Sequence, residues 1–248
     1  MFAPGEAVDG TGTVECITPV FESIPNRAEF YDKGYCAVPY VFDDTYVCYA
    51  FSFTGGAAVK WFRDNFGKER SYQELDESAG EEPTGILIMP HFAGAATPYM
   101  DSGSRAAIIG LTLEHTAGDI YKAVMEGVTY EIMHNIHELE SFGVNPQKLY
   151  AVGGGARSRA WLRIKADILN RPVTALKAEE AGACGTCMLA AVAVGIYTDL
   201  KDAKRTFVKE GETFSPEAKK TGRYKQLYGA YKKIYKPVRE IVKEICNE

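Results

Sequence analysis

The residues Leu149-Tyr150-Ala151-Val152 run directly into Gly153-Gly154-Gly155-Ala156-Arg157-Ser158-Arg159 and then into an amphipathic segment over 160–169. A short apolar run closed by glycines and followed by a helical period predicts a buried strand that turns sharply into a helix. The first N–H groups of a helix lack internal partners, and glycine lets a ligand approach them without a Cβ in the way. Taken alone, the motif reads equally as an anion or nucleotide cradle and as a tight connection. Its spacing matches neither the phosphate loop ending in Gly-Lys-Ser/Thr nor the dinucleotide fingerprint.

A chain of 248 residues can bury a proper core, as one large domain or two small ones, and no repeat or low-complexity linker marks a boundary. The net charge of −5 argues against nucleic acid as a partner. No apolar segment reaches the length needed to span a bilayer, and the first residues lack the basic and apolar regions of a leader, so a cytoplasmic protein with no membrane partner is expected. The six cysteines, at 16, 36, 48, 184, 187 and 246, have no disulfide-framework spacing and are expected to be small buried thiols.

Extended runs over 13–18, 35–41 and 46–53, separated by turn formers such as Pro25-Asn26 and Asp43-Asp44, predict an antiparallel meander of three strands. The segment Asp9-Gly10-Thr11-Gly12-Thr13 sits where the first of them begins, suited to a phosphate or to any tight turn. Thr54-Gly55-Gly56 opens a helix with Ala58, Phe62 and Phe66 on one face. A short helix through Gln73-Glu74-Leu75 reads as a solvated face, and 86–89 as a buried strand.

The loop 91–105 is long enough to be functional; its Asp101 reads as a general base, as a metal-associated carboxylate or, more simply, as a carboxylate satisfying loop N–H groups. A helix over 117–141 carries an apolar stripe from Ile120 to Leu139, with His134 and His137 off the stripe and expected in solvent. Glu131 and His134 have a metal-site spacing, but matching ligands on other helices are not found, and the metal reading is rejected. The segment 180–195 predicts a buried helix of small residues in which Cys184 and Cys187 serve packing. The last segment, 216–245, predicts one charged helix lying across the sheet.

Three antiparallel strands, a helix and then alternating strands and helices, with glycine turns at separate places, resemble a ribonuclease H-like domain of the actin-like ATPase kind. That fold is α/β: a mixed sheet of three antiparallel strands followed by parallel ones, with helices on both faces. The sequence resembles the C-terminal domain of the FGGY carbohydrate kinases over nearly its whole length. The match is most specific at Ala106-Ala107-Ile108-Ile109-Gly110-Leu111 and at Asp119-Ile120-Tyr121-Lys122-Ala123-Val124-Met125-Glu126. Pro98-Tyr99-Met100-Asp101 is similar to the family's Pro-Tyr-Trp-Asp loop, with Met100 in the aromatic's place. The glycine turn followed by Trp161 looks most like the branch acting on xylulose and related sugars.

The resemblance implies that Gly10-Thr11-Gly12-Thr13 is a phosphate motif, with Thr11, Gly12 and Thr13 near the nucleotide phosphates. It likewise implies nucleotide contacts for Gly56 and Lys60, and an adenosine motif at Gly154, Gly155 and Ala156 with Arg159 beside it. Lys60 and Arg159 stand where the glycerol-kinase branch has Gln and Asn. The implied chemistry is transfer of the ATP γ-phosphoryl, with Mg²⁺, to a sugar hydroxyl. The family's N-terminal domain, which carries the catalytic aspartate and most of the sugar pocket, would lie before Met1. Residues 1–248 are therefore expected to be a single C-terminal nucleotide-binding domain with no catalytic base of its own, inactive alone. The alternative is a non-catalytic partner that keeps the fold and binds nucleotide or protein, its uncovered apolar surface favouring a homodimer.

Overall fold

The computed structural model describes residues 1, 3–23, 27–67, 69–177 and 180–246. Its strands and helices run β1 Glu6–Thr11, β2 Glu15–Phe21, α1 Arg27–Asp32, β3 Ala37–Pro39, β4 Tyr46–Cys48, β5 Ala50–Ser52, α2 Gly56–Phe66, α3 Tyr72–Ser78, β6 Leu87–Met89 and β7 Ala107–Ile109. They continue with α4 Ala117–Ser141, β8 Lys148–Gly153, α5 Arg159–Leu169, β9 Val173–Leu176, α6 Ala181–Ala193, α7 Leu200–Phe207, β10 Glu210–Phe214, α8 Ala218–Tyr231 and α9 Tyr235–Cys246.

The main sheet has the order β10-β9-β8-β1-β2-β4-β3, with β5 also paired to β2. β1 and β2 form an antiparallel hairpin, while β8 runs parallel to both β1 and β9, so the sheet is mixed as the chain order suggests. Successive strand residues point to opposite faces. Ala7, Asp9, Leu149 and Ala151 are buried on the face that takes α5, and Val8, Tyr150, Val152 and Leu176 line a groove on the opposite face, under α6 and α7. Helices therefore cover both faces.

The core is centred on α4, where Val124, Val128, Ile132, Ile136 and Leu139 are buried. A capping box between Thr116 and Asp119 starts this helix and satisfies N–H groups that the helix itself leaves unpaired. Gly127 allows α4 to press on β6; a Cβ there would lie 2.3 Å from the Ile88 carbonyl oxygen. Trp161 of α5 inserts against α4 and donates its indole N–H to Thr129 Oγ1 at 3.1 Å.

Several expectations change. The first strand is β1, which begins ahead of the Gly10–Thr13 segment and runs into it; Gly10 and Thr11 end the strand and residues 12–14 form the tip of the β1–β2 hairpin. Its inward residues are Ala7, Asp9 and Thr11, so a strand with an acid at the centre of its buried face shows no hydrophobic period. The run 46–53 breaks at Tyr49 because its two halves pair with different parts of β2. β3 is shorter than the run 35–41, and β7 forms a small antiparallel pair with β6. The Pro25-Asn26 turn lies outside the described residues.

α6 is not buried: only Met188 and Ala191 are covered, and Leu189, Val194 and Ile196 of this region are exposed. His134 and His137 are not in solvent either. Both rings share the Tyr228 hydroxyl, at 3.3 and 3.2 Å, and burial lowers their pKa values. Cys48 is a buried thiol, but Cys36, Cys187 and Cys246 are exposed, so Cys187 is not a core-packing residue. The last segment is two helices, α8 and α9, and Pro237 explains the break: it has no N–H to carry a helix ladder through Lys233.

The glycines of α4 and α8 separate packing from propensity. Gly127→Ala drives a Cβ into the Ile88 backbone and is expected to lower the thermal midpoint, by more than about 1 kcal/mol of stability, despite alanine's better helix propensity. Gly222→Ala, where a Cβ meets nothing within 4 Å, is expected to raise stability by about 0.5–1 kcal/mol. Thermal melts followed by circular dichroism check both signs.

Candidate functional site

The parallel register of β1 on β8 pairs Thr11 with Gly153, which sets the hairpin tip beside the strand-to-helix turn. Gly153 has φ +84°, and a Cβ on it would lie 2.4 Å from the Thr11 carbonyl oxygen. A Cβ on Gly155 would lie 2.4 to 2.8 Å from the Thr11 side chain. The third glycine turn joins through hydrogen bonds: Gly55 and Ala57 N–H donate to the Thr13 carbonyl at 2.9 and 3.2 Å, and Gly56 N–H donates to the Gly12 carbonyl at 2.8 Å. The hairpin tip thus caps α2, and these N–H groups are spent inside the protein. At the other turn, Gly154–Arg157 form one turn of 3₁₀ helix before α5, whose start Ser158 caps through the Trp161 N–H at 3.0 Å. By the geometry of a helix start, the N–H groups of Gly154, Gly155 and Ala156 have no partner within that turn.

The turns open on one cleft of about 820 Å³. Thr11, Gly12, Gly56, Gly154, Gly155 and Arg159 all line it. Thr13, Lys60 and Ala156 do not. Thr13 is exposed with its carbonyl committed to α2, Lys60 is exposed and paired with Asp64 along its own helix, and Ala156 packs against the core. The Arg159 guanidinium is held by both oxygens of Glu212 and lies 5.4 Å from the Phe214 ring centroid, so β10 braces it.

The opposite wall is α3, with Tyr72, Gln73, Asp76 and Glu77, and the buried Tyr121 and Trp161 border the cleft. Asp76 accepts from the Tyr121 hydroxyl at 2.8 Å, and Gln73 donates to Glu77 at 3.0 Å. Neither this wall nor Arg157 is among the site residues expected from the sequence. The capping box of Ser71 and Glu74 was there to mark the helix, but nothing local says that its polar face looks into a cleft.

Beneath the turns lies a cluster of charges. Lys165 of α5, 1% exposed, donates to Asp9 Oδ2 at 2.6 Å, Glu15 Oε1 at 2.5 Å and Thr11 Oγ1 at 2.6 Å. Thr11 Oγ1 in turn donates to Glu15 at 2.9 Å, so this hydroxyl faces inward. Asp9 Oδ1 and Glu15 Oε2 are buried with no hydrogen-bond partner among the described residues. Burial pushes the Glu15 carboxyl well above its ordinary value; Lys165 pulls it back and Asp9 adds to the rise. Burial opposes the Lys165 charge, yet Asp9 and Glu15 outweigh it and hold the ammonium above its ordinary pKa. Neither buried carboxylate presents itself to a cation at the turns. They do not fit as Mg²⁺ ligands, and no step is assigned to a metal held by them.

Two other sites resolve as structural. Asp101 accepts from Gly103 N–H at 2.9 Å, Tyr235 hydroxyl at 2.8 Å and Arg239 Nε at 2.7 Å, which ties the 91–105 loop to α9 and leaves no role as a base. Ser104 Oγ, His91 and Glu131 form a chain, with 2.7 Å to His91 Nδ1 and 3.3 Å from Nε2 to Glu131. Its members are 0–3% exposed, so the chain holds the loop on α4 rather than meeting a substrate.

A mixed sheet whose hairpin tip and strand-to-helix turns close on one cleft is the architecture of the ribonuclease H-like, actin-like ATPase domains. The pattern of the FGGY family of carbohydrate kinases, C-terminal domain, matches residues 37–194. A xylulose kinase of Staphylococcus epidermidis is 30% identical over 222 residues, covering 88% of this chain and 45% of the relative. Among solved structures, xylulose kinase from Rhodospirillum rubrum superposes with a TM-score of 0.84 at 24% identity, over 97% of this chain and 48% of that one. Plasmodium falciparum glycerol kinase with ADP gives a TM-score of 0.81 at 22% identity, over 95% and 48%. The chain belongs to the FGGY carbohydrate kinase family and corresponds to its C-terminal domain. It spans under half the length of the curated relatives it matches.

The raised Glu15 pKa gives stability a direction with pH. The folded state keeps a proton that the unfolded chain releases above about 4.5, so this contribution is full below that pH and is lost as pH rises toward the folded value. Glu15→Gln, which mimics the protonated acid, is therefore expected to gain in melting temperature relative to the parent protein between about pH 5 and about pH 8. Melts of the two proteins across that range check it; a difference that shrinks with rising pH contradicts it.

Proposed function

We propose that this chain is the nucleotide-binding part of a sugar kinase, taking ATP or ADP in the cleft between the glycine turns and α3. The reading rests on one observation: Thr11, Gly12, Gly56, Gly154, Gly155 and Arg159, drawn from three separate stretches of sequence, line the same cleft. The 3₁₀ turn offers N–H groups to phosphate oxygens, Arg157 adds positive charge at the mouth, and Arg159 lines the cleft while paired with Glu212. Tyr72, the exposed aromatic residue of this lining, offers its ring to a base. The first α2 N–H groups are already bonded, as is the Gly12 N–H, which donates to the Val14 carbonyl at 3.0 Å, so the phosphates depend on the N–H groups of the 3₁₀ turn.

Phosphoryl transfer rests mainly on positioning and on electrostatic stabilisation of the transferring group. Mg²⁺ arriving with the nucleotide would neutralise phosphate charge; this chain's part is to hold the nucleotide. The acceptor is a sugar hydroxyl, with xylulose the first choice from the relatives matched. The base that activates it and most of the sugar pocket are assigned to the family's N-terminal half, so residues 1–248 tested by themselves are expected to bind nucleotide without transferring phosphate. Among the described residues no helix is long and apolar enough to cross a membrane.

A second reading is a scaffold that self-associates. The exposed Leu189, Val194 and Ile196 and the groove of about 310 Å³ beneath α6 favour it. Calorimetric titration with ADP separates the readings when paired with sedimentation. The kinase reading expects saturable ADP binding, weakened about tenfold when Arg157 and Arg159 are both changed to Ala, with an unchanged melting curve. Gly155→Val should abolish binding, but it also presses on Thr11, so the arginine pair is the cleaner probe. A dimer that binds no ADP favours the scaffold.

A further inference from the structure

A lysine and two carboxylates buried together are costly to desolvate, and such a group is weak grounds for stability in itself. Here its geometry has a direction. Lys165, Asp9 and Glu15 converge on one side of Thr11, whose hydroxyl accepts from Lys165 at 2.6 Å and donates to Glu15 at 2.9 Å. On its other side, the Thr11 side chain stands where a Cβ of Gly155 would be, at 2.4 to 2.8 Å. The Thr11 carbonyl likewise stands 2.4 Å from the Cβ position of Gly153. Thr11 is thus wedged between the buried charges and the backbone of the 3₁₀ turn. The Lys165 ammonium also lies 5.0 Å from the centroid of the Trp161 ring, which is buried against α4.

We propose that Lys165, held by Asp9 and Glu15, is a positioning residue for the phosphate-binding turns, acting through the Thr11 hydroxyl to set the spacing between the hairpin tip and the Gly153–Ala156 turn. This rests on the nucleotide reading above. The cluster touches no ligand; it sets where the Gly154 and Gly155 N–H groups point. Lys165 Nζ is bonded at once to Asp9, Glu15 and the Thr11 hydroxyl, so the lysine that ties α5 to the sheet also fixes the Thr11 side chain against the 3₁₀ turn.

The test is a double-mutant cycle read by ADP titration. Thr11→Val keeps the shape of the side chain and removes its hydroxyl, and is expected to weaken ADP by about tenfold, while Thr11→Ser weakens it by less than about threefold. Changing Asp9→Asn, Glu15→Gln and Lys165→Met together leaves no buried charge and is expected to weaken ADP by about the same factor as Thr11→Val. Adding Thr11→Val to that triple variant should then cost no more than about a further twofold, because both changes remove one effect. Thr11→Val binding ADP as the parent does, or the two effects multiplying in full, overturns the proposal. The Thr11 arm decides the matter even where the triple variant does not fold. A parent protein that binds no ADP refutes the nucleotide reading instead, a result distinct from either.

Discussion

The cleft exists because its turns touch at glycine backbone, and only residues without a Cβ permit that contact. Gly153 and Gly155 stand against Thr11, Gly55 against Val14 and the Glu15 amide, and Gly56 against the Gly12 carbonyl, each with a Cβ position under 3 Å from its neighbour. Any side chain at these sites would push the hairpin tip, the 3₁₀ turn and the start of α2 apart. The parallel register of β1 on β8 and the capping of α2 by the hairpin carbonyls then follow from one close approach.

This contact has an electrostatic foundation. Glycine turns alone are pliable, since glycine loses more conformational freedom on folding than any other residue. The buried Lys165, with Asp9 and Glu15, gives the hairpin a fixed point directly below the turns. Behind it, α4 carries the helix layer, with Gly127 letting it lie on β6 and Thr129 receiving the Trp161 indole. The cleft is therefore bounded by elements fixed in the core. α3 is different: it is short and exposed except at Leu75, and it supplies the polar wall.

Much of this was legible in the sequence, and the failures share physical causes. The glycine turns, the mixed sheet and the long α4 carry strong local signals, and the resemblance over 98–126 and 153–161 points to the family the comparisons support. β1 was hidden because its buried face carries Asp9, a residue whose partner, Lys165, is far away in the chain. α6 looked like a core helix because composition reports what a helix prefers to touch, not whether a neighbour is there. Lys60 and Thr13 sat in the right motifs, but neither lines the cleft. The α3 wall had no signal at all, since polar residues facing a cleft and polar residues facing solvent spell the same pattern.

The central claim is that these converged turns hold a nucleotide. Amide ¹H–¹⁵N shifts of the labelled protein, followed during titration with ADP, test it residue by residue. The account predicts that the largest saturable changes fall on Gly12, Gly154, Gly155 and Arg157, with the amides of α6 unmoved. Changes confined to α6 and its groove, or none at millimolar ADP, would contradict it.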